Sequence, residues 1–444
     1  MSHLDTLDAA ELDRWRILLA DAWGLMAAGG QAPGLRAMLL AADELGDGDV
    51  AVPWTGRRWS PSAAAAVSSA LIHAWDFDDT HDEAVVHTAA VAVPAALVAA
   101  QRRPTSGDRF ADGVVVGVQV LARLGGLVGP RPGVIRTAGL GAPAAAAAVA
   151  ATWGLDRAGI ENAMSLALGA SLAPGSRQAV VDSSLAKRVQ PGLAVQAGLY
   201  AASLAAHGIE GPRGWLTGEH GLVPRSDLTV ADVLDGPFAG AELAIKPYPA
   251  CRYGHAAIAA AEELYRRHGA EADDRIVVHL PEGASYAMVA RPFADRGEPI
   301  IDAQFSVPWQ VASVWTTGRY DVATLAGPDV VDPGIAAAAA HVEVRQDLPA
   351  STVMSGATVE LHRSSGRDGG TVHVAEAPMP GGPETPLDRA AVSTKIRTCL
   401  TVGGLDADVE TDRIWDFVDG VADLDASGLR RALSEFTPSR QPVA

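Results

Sequence analysis

Lysine is almost absent from this chain. Of its 35 basic residues only Lys187, Lys246 and Lys395 are lysine, and the rest are arginine. Where lysine is avoided so consistently, each survivor points to a need for a compact ammonium whose pKa the surroundings can tune, which arginine does not offer. Cysteine is as scarce. Cys251 and Cys399 cannot build a disulfide framework, so a reducing cytoplasm is the expected setting. Residues 1–15 are acidic and lack an apolar signal core, and the Ala-rich runs are interrupted by Gly, Arg or Trp, so no membrane span is expected. A basic patch is missing too. The net charge of −18 argues against nucleic acid or an anionic membrane as partner. There is no G-x-x-x-x-G-K-[ST] loop, no strand-borne G-x-G-x-x-G and no nucleophile elbow, so no cofactor is expected.

What is present is apolar. With 444 residues, 48% of them hydrophobic, one large or two medium domains with a substantial core are expected. Helical patterns run through 9–45 with a Gly-Gly break, then at about 61–77 and 88–103. Ser106 or Asp108 caps the next, and others follow at 143–155, 161–173 and 186–208, where Pro191 should kink the helix or mark its first turn. Residues 50–60 read as a loop. After Gly236 the pattern changes to strands at 275–281, 341–347, 357–363 and 370–376, the last two forming a hairpin across a Ser/Gly turn at 364–369. Helices at 255–269 and 305–318 interleave with them, and helix returns from about 387. The chain therefore reads as mainly α: an all-helical domain from 1–245 and 387–444, with an α+β domain at 246–386 inserted before the C-terminal helices.

The reactive groups concentrate in His73-Ala-Trp-Asp76-Phe-Asp78-Asp79-Thr80-His81-Asp82-Glu83-Ala-Val-Val-His87. Three His, four Asp and one Glu lie between flanks, 63–72 and 89–100, that are almost entirely Ala, Val, Leu and Ser. Both flanks read as buried helix. An unpaired buried charge is costly, so the acidic run should surface or line a wet cavity. Asp76, Thr80, Glu83 and His87 share one stripe if the helix is unbroken, although the density of Asp and Thr argues for a break. A solvated loop between two core helices fits the composition equally well.

Three other stretches carry chemistry: Lys187-Arg-Val-Gln190, Lys246-Pro-Tyr-Pro-Ala-Cys251-Arg252-Tyr-Gly-His255 and Gln304-Phe-Ser-Val-Pro-Trp309. The second lies at the seam between the two halves, where small-molecule pockets form. Lys246, Arg252 and His255 stand at the start of a helix, whose N-terminus favours anions. They read as a pocket for carboxylates, or else as a Pro-stiffened connector with solvated cations. No metal is expected. Asp78 to Asp82 resembles the aspartate-rich box of terpene synthases, but Glu161-Asn162 does not supply the second box, and a zinc site needs a third ligand beside His81 and His87.

HAWDFDDTH (73–81) with His87 after it, Ser106-Gly107, AKRVQPGLAVQAGLYAASLAAHGIEGP (186–212), KPYPACRYGHAAIAA (246–260) and AQFSVPWQVA (303–312) occur in this order. In these pieces the chain resembles the family of 2-methylcitrate dehydratase and cis-aconitate decarboxylase, usually called MmgE/PrpD, across nearly its whole length. The resemblance implies that the α+β domain is a lid on the helical one, and that the protein is a cofactor-free homodimer. It implies a lyase or isomerase acting on di- or tricarboxylates by dehydration, decarboxylation or epimerisation. It implies site positions at Asp76, Thr80, His87, Lys187, Lys246 and His255. Three positions depart from the family pattern. A common family histidine is Ile135 here, a histidine of the decarboxylase branch is Cys251, and the tyrosine after F-S-x-P is Trp309. The segment Cys251 to His255 looks more like the branch that includes iminodisuccinate epimerase. Ile135 and Trp309 should give the pocket an apolar wall.

The chemistry shared by these activities is proton removal beside a carboxylate, with cations holding the developing charge. His87 is expected as acid/base, because an unperturbed His titrates near neutrality. Asp76 orients it or acts as a second acid/base, with Lys187 and His255 completing the catalytic set. Thr80, Lys246, Arg252, Cys251, Trp309 and Ile135 are expected to bind substrate, Arg252 in bidentate fashion. The favoured reading is a lyase that dehydrates a hydroxy carboxylic acid. A decarboxylase or epimerase is the first alternative, and a non-catalytic binding protein the second.

Overall fold

The computed structural model describes residues 3–436, apart from 272, 295, 297, 328–331, 352–353 and 364–369. The protein is mainly α. Helix Ala9–Gly29 opens with a capping box, in which Asp8 accepts the Ala10 and Glu11 amides and Glu11 accepts the Asp8 amide. Helices Gly107–Val128, Arg136–Thr152 and Ala186–Ala206 pack side by side, and every residue of the middle one after Arg136 is buried. Ala and Gly let these backbones approach closely. A Cβ at Gly198 would lie 2.5 Å from Ala145 Cβ and 2.6 Å from the Ala142 carbonyl. Gly198→Val should therefore destabilise the fold by about 1–3 kcal/mol through overpacking. A lower urea midpoint at unchanged slope is the expected reading. An unchanged midpoint would mean that the crossing has slack.

Helix Gly107–Val128 passes the length and composition test for a membrane span, contrary to the expected interruption of such runs. However, 78% of its most apolar window is buried against the rest of the protein, as in a core helix. Helix Ala186–Ala206 runs through Pro191 as one element.

The four strands expected between 275 and 376 form one four-stranded sheet. Its order is Val342–Leu348, Arg275–Pro281, Ala357–His362, Val372–Ala377; the first pair is parallel and the others antiparallel. Each expected strand is present to within two residues at either end. The expected turn at 364–369 lies outside the described residues. In Ala357–His362 the buried residues Ala357, Val359 and Leu361 alternate with half-buried ones, and helix His255–His268 packs on this strand. Helices return at Arg389–Val402, Ala407–Gly420 and Ala426–Glu435, the first of them packed on Ala9–Gly29.

Two small pairings were not expected. Val50–Val52 pairs with Arg57–Trp59, where a loop was read. Thr80–His81 pairs with Leu243–Ala244. Three- and two-residue strands are too short to show a period of two. The second pairing matters for the site: it sets Thr80 opposite Ala244, two residues before Lys246.

Candidate active site

Helix Pro61–His73 starts on Ser60 with Pro61 in its first turn and ends at His73; the next long helix, Ala89–Arg102, starts at Thr88. The segment between them is broken, so the helical stripe of Asp76, Thr80, Glu83 and His87 does not form. Glu83 is exposed. Asp76 turns the chain with φ of 50°, a left-handed conformation that Asp tolerates better than most side chains.

The acidic run divides between the surface, reached by Glu83, and the core. Asp76, Asp78 and Asp79 are 3%, 0% and 0% exposed. Each has its own partners, which is the third way to bury a charge. Asp76 Oδ1 accepts from Lys187 Nζ at 3.1 Å and from Lys246 Nζ at 2.9 Å. Asp78 Oδ2 lies 2.8 Å from His73 Nδ1, and its Oδ1 lies 3.6 Å from His87 Nδ1. Asp79 accepts from the Thr88 amide, the Thr88 hydroxyl and the Ala89 amide at 2.7–2.8 Å, capping helix Ala89–Arg102 from nine residues upstream.

Hydrogen-bond partners fix the histidine tautomers. His87 Nδ1 is 2.8 Å from the Asp79 carbonyl, which can only accept, so Nε2 keeps the basic lone pair. His73 donates from Nδ1 to Asp78 and accepts from Lys187 at 3.1 Å on Nε2. Burial pushes the His87 pKa down to about 3; Lys246, His73 and Lys187 add to this and Asp78 opposes it. Burial lowers His73 as well. Burial alone would raise Asp76, but Lys187 and Lys246 outweigh it and hold the carboxyl well below the usual range. Asp78 is held low by His73 and His87 against its own burial. Asp79 goes the other way: burial and the neighbouring Asp78 carry it up to about 7, against its three hydrogen bonds. At neutral pH the array is Lys246, ionised Asp76, Lys187, neutral His73, ionised Asp78 and neutral His87. With 16% of its side chain exposed, His87 is the most open member.

Five of the expected site residues thus join one cluster: Asp76, His87, Lys187, Lys246 and Thr80, whose hydroxyl is 3.4 Å from His87 Nδ1. Of the others, Arg252, Cys251 and His255 lie beside it. Arg252 is not an open carboxylate binder here. Its Nε and Nη2 clasp Asp82 at 2.9 and 2.8 Å, and its Nη1 donates to the Pro380 carbonyl and lies 3.5 Å from His255 Nδ1. His255 is fully buried and commits both nitrogens, Nε2 to the Ala250 carbonyl at 3.1 Å and Nδ1 to Arg252. It therefore buttresses Arg252 in this conformation and has no free nitrogen for acid/base work. The Cys251 amide donates to the Gln304 carbonyl at 2.9 Å, and burial, with Asp76, pushes its thiol up to about 11, so it stays neutral. Trp309 stacks on Phe293 with ring centroids 4.3 Å apart. Ile135 donates its amide to Ser176 Oγ, and Thr137, two residues on, accepts the His87 amide at 3.0 Å, so this segment borders His87.

The sequence reading missed His73, Asp78 and Asp79 as members of the cluster. Their one signal was position: a histidine in the last turn of a helix with nothing else polar but serine is buried and must find partners. Atoms of His73, Asp78 and His87 lie within 4.8 Å of one another, as metal ligands can. They suit a cation poorly. His87 Nδ1 carries its proton toward a carbonyl, and the Lys187 ammonium already occupies His73 Nε2. Cavities of about 480 and 290 Å³ lie around Asp274 and His341 on the α+β part, away from these residues.

Residues 2–226 match the MmgE/PrpD N-terminal domain and residues 248–416 the MmgE/PrpD C-terminal domain. The chain is similar to cis-aconitate decarboxylase of Aspergillus terreus (strain NIH 2624 / FGSC A1156), with 29% identity over 239 residues, 48% of this chain and 47% of that protein. It is also similar to cis-aconitate decarboxylase-like protein oryM of Aspergillus oryzae (strain ATCC 42149 / RIB 40), with 30% identity over 221 residues, 46% of this chain and 44% of that protein. In these alignments the chain spans about half the length of the curated relatives it matches.

Proposed function

The chain belongs to the MmgE/PrpD family, and from that premise we propose that it is a cofactor-independent lyase that removes a proton from the carbon beside a carboxylate. One observation carries the reading. Lys187 and Lys246 converge on a single carboxylate oxygen, that of Asp76, and a neutral imidazole stands at the other end of the same array. An ammonium has three donors. Lys187 spends two, on His73 and Asp76, and Lys246 spends two, on the Asp76 carbonyl and carboxylate. One donor on each is left for a substrate carboxylate and for the charge that grows on it.

His87 Nε2 takes the proton from carbon. Lys187 and Lys246 hold the resulting enolate-like dianion. Lys187 then gives a proton to the departing hydroxyl as the C–O bond breaks, leaving an unsaturated acid and water. After the product leaves, His87 returns its proton to solvent and Lys187 takes one back, both side chains keeping some exposure, 16% and 9%. Dehydration is preferred because the thiol of Cys251 replaces a histidine that the resemblance assigns to the decarboxylating branch. The names of the relatives favour the second reading, in which the same groups assist loss of carbon dioxide and reprotonation of carbon. The same proposal takes the protein to be a cytoplasmic homodimer with the α+β part as a lid. Leu193 and Tyr200, 58% and 68% exposed on helix Ala186–Ala206, offer an apolar face for a second copy to cover.

The test is incubation with a panel of hydroxy and unsaturated di- and tricarboxylates, in chelator and without nucleotide, followed by NMR. Loss of water from one hydroxy acid is expected, with a substrate of one or two carboxylates and an apolar arm turned over better than methylcitrate or cis-aconitate. Release of carbon dioxide alone would select the decarboxylase reading. No turnover of any member would favour a binding protein.

A further inference from the structure

The third lysine stands outside the cluster but against the same loop. Lys395, on helix Arg389–Val402, donates from Nζ to the Phe77 carbonyl at 2.8 Å and pairs with Asp21, on helix Ala9–Gly29, at 2.8 Å. Its ammonium also lies 4.0 Å from the centroid of the Phe77 ring. Asp21 and Lys395 are both buried.

The Phe77 carbonyl is the last of three held in succession. The Trp75 carbonyl accepts from Gln304 Nε2 at 2.5 Å, and the Asp76 carbonyl accepts from Lys246 Nζ at 2.9 Å. Three consecutive carbonyls are thus tied to three side chains remote in sequence. The middle residue is left-handed, with φ of 50°. For a residue other than glycine that conformation costs on the order of 1–3 kcal/mol and persists only where the surroundings over-determine it. The carbonyl ties supply that constraint, and Lys395 with Asp21 forms the one that the catalytic cluster does not otherwise need.

We propose that Lys395, anchored by Asp21, is a positioning residue. It holds the Phe77 carbonyl so that Asp76 stays left-handed, with its carboxylate between Lys187 and Lys246. The C-terminal helices thereby set the geometry of a cluster to which they contribute no side chain. The inference rests on reading that cluster as the active site. The competing role is a plain buried tie between helices Ala9–Gly29 and Arg389–Val402.

The scarcity of lysine supplies the experiment. Protein labelled with 13Cε-lysine should give three signals, one per lysine. Lys395→Met alone would strand Asp21 as a buried unpaired charge, so the decisive variant is Asp21→Asn/Lys395→Met, which removes both charges. In the folded double variant the two remaining signals, from Lys187 and Lys246, should both move from their wild-type positions. On a substrate found in the carboxylate panel, kcat should fall roughly 10- to 100-fold, as for a small misplacement of a catalytic group, with KM nearly unchanged. Signals at wild-type positions would overturn the proposal, whatever stability the variant has lost. If the double variant does not fold, Asp21→Asn removes only the anchor and should move both signals by less. Unmoved signals there would equally overturn it. Moved signals with unchanged kcat would uphold the positioning role and remove Asp76 from the chemistry, so the two ideas fail separately.

Discussion

Asp76→Asn is expected to cost about 3–5 kcal/mol of stability and to abolish most turnover. Asparagine keeps the size of the side chain and tolerates the left-handed backbone at φ of 50°, so the variant removes charge and little else. What remains is two buried ammonium groups aimed at one neutral amide. Removing one partner of a buried ion pair commonly costs about 3–5 kcal/mol, because the other charge is left uncompensated. The pH dependence carries the same sign. Lys187 and Lys246 hold the Asp76 carboxyl well below its ordinary value. Its contribution is therefore complete above the unfolded carboxylate pKa of about 4 and is lost as pH falls through the lower folded value. Urea titration of wild type and variant at neutral pH measures the difference. A loss under about 1 kcal/mol would mean that the three charges are not coupled as the distances suggest.

His87→Ala is expected to cut the rate by roughly 10²–10⁴, the usual contribution of a general acid or base, while leaving the fold intact. The side chain is the most exposed of the cluster and makes one short hydrogen bond, to the Asp79 carbonyl. Its pH signature separates it from an ordinary surface histidine. The active form is the neutral imidazole, and burial brings its pKa down to about 3. Activity should therefore persist as pH falls through 6.5, the ordinary histidine value, and be lost only as pH approaches the folded pKa. Between those values the unfolded chain binds the proton that the native one refuses, so this residue also makes stability rise with pH across that window. A kcat/KM profile with its acid limb near 6.5 would argue against His87 as the base.

Much of the fold was legible. Long apolar runs located the long helices, and β-branched content located all four strands of the sheet. The pairing of Thr80–His81 with Leu243–Ala244 was not legible: two residues carry no period, and the partners meet only once the helices are packed. The scarcity of lysine was the sharpest signal for the site. It singled out Lys187 and Lys246, which reach the cluster, and Lys395, which reaches the loop beneath it. Arg252 and His255 show the limit of such reading. Cations at the start of a helix read as an open anion site, yet Asp82, 170 residues away, already fills it. Sequence distance conceals such a partner, since nothing local marks which carboxylate will turn back to which cation. His73 was overlooked for the opposite reason. It sits at the end of an apolar helix, where a lone histidine reads as ordinary core.

The central claim is that His87 takes a proton from the carbon beside a carboxylate held by Lys187 and Lys246. Solvent-deuterium exchange at that carbon, followed by NMR with wild type and His87→Ala on the substrate found in the carboxylate panel, tests it most directly. Wild type should exchange or eliminate, and His87→Ala should do so slower by roughly 10²–10⁴. Equal rates in the two proteins would contradict the claim.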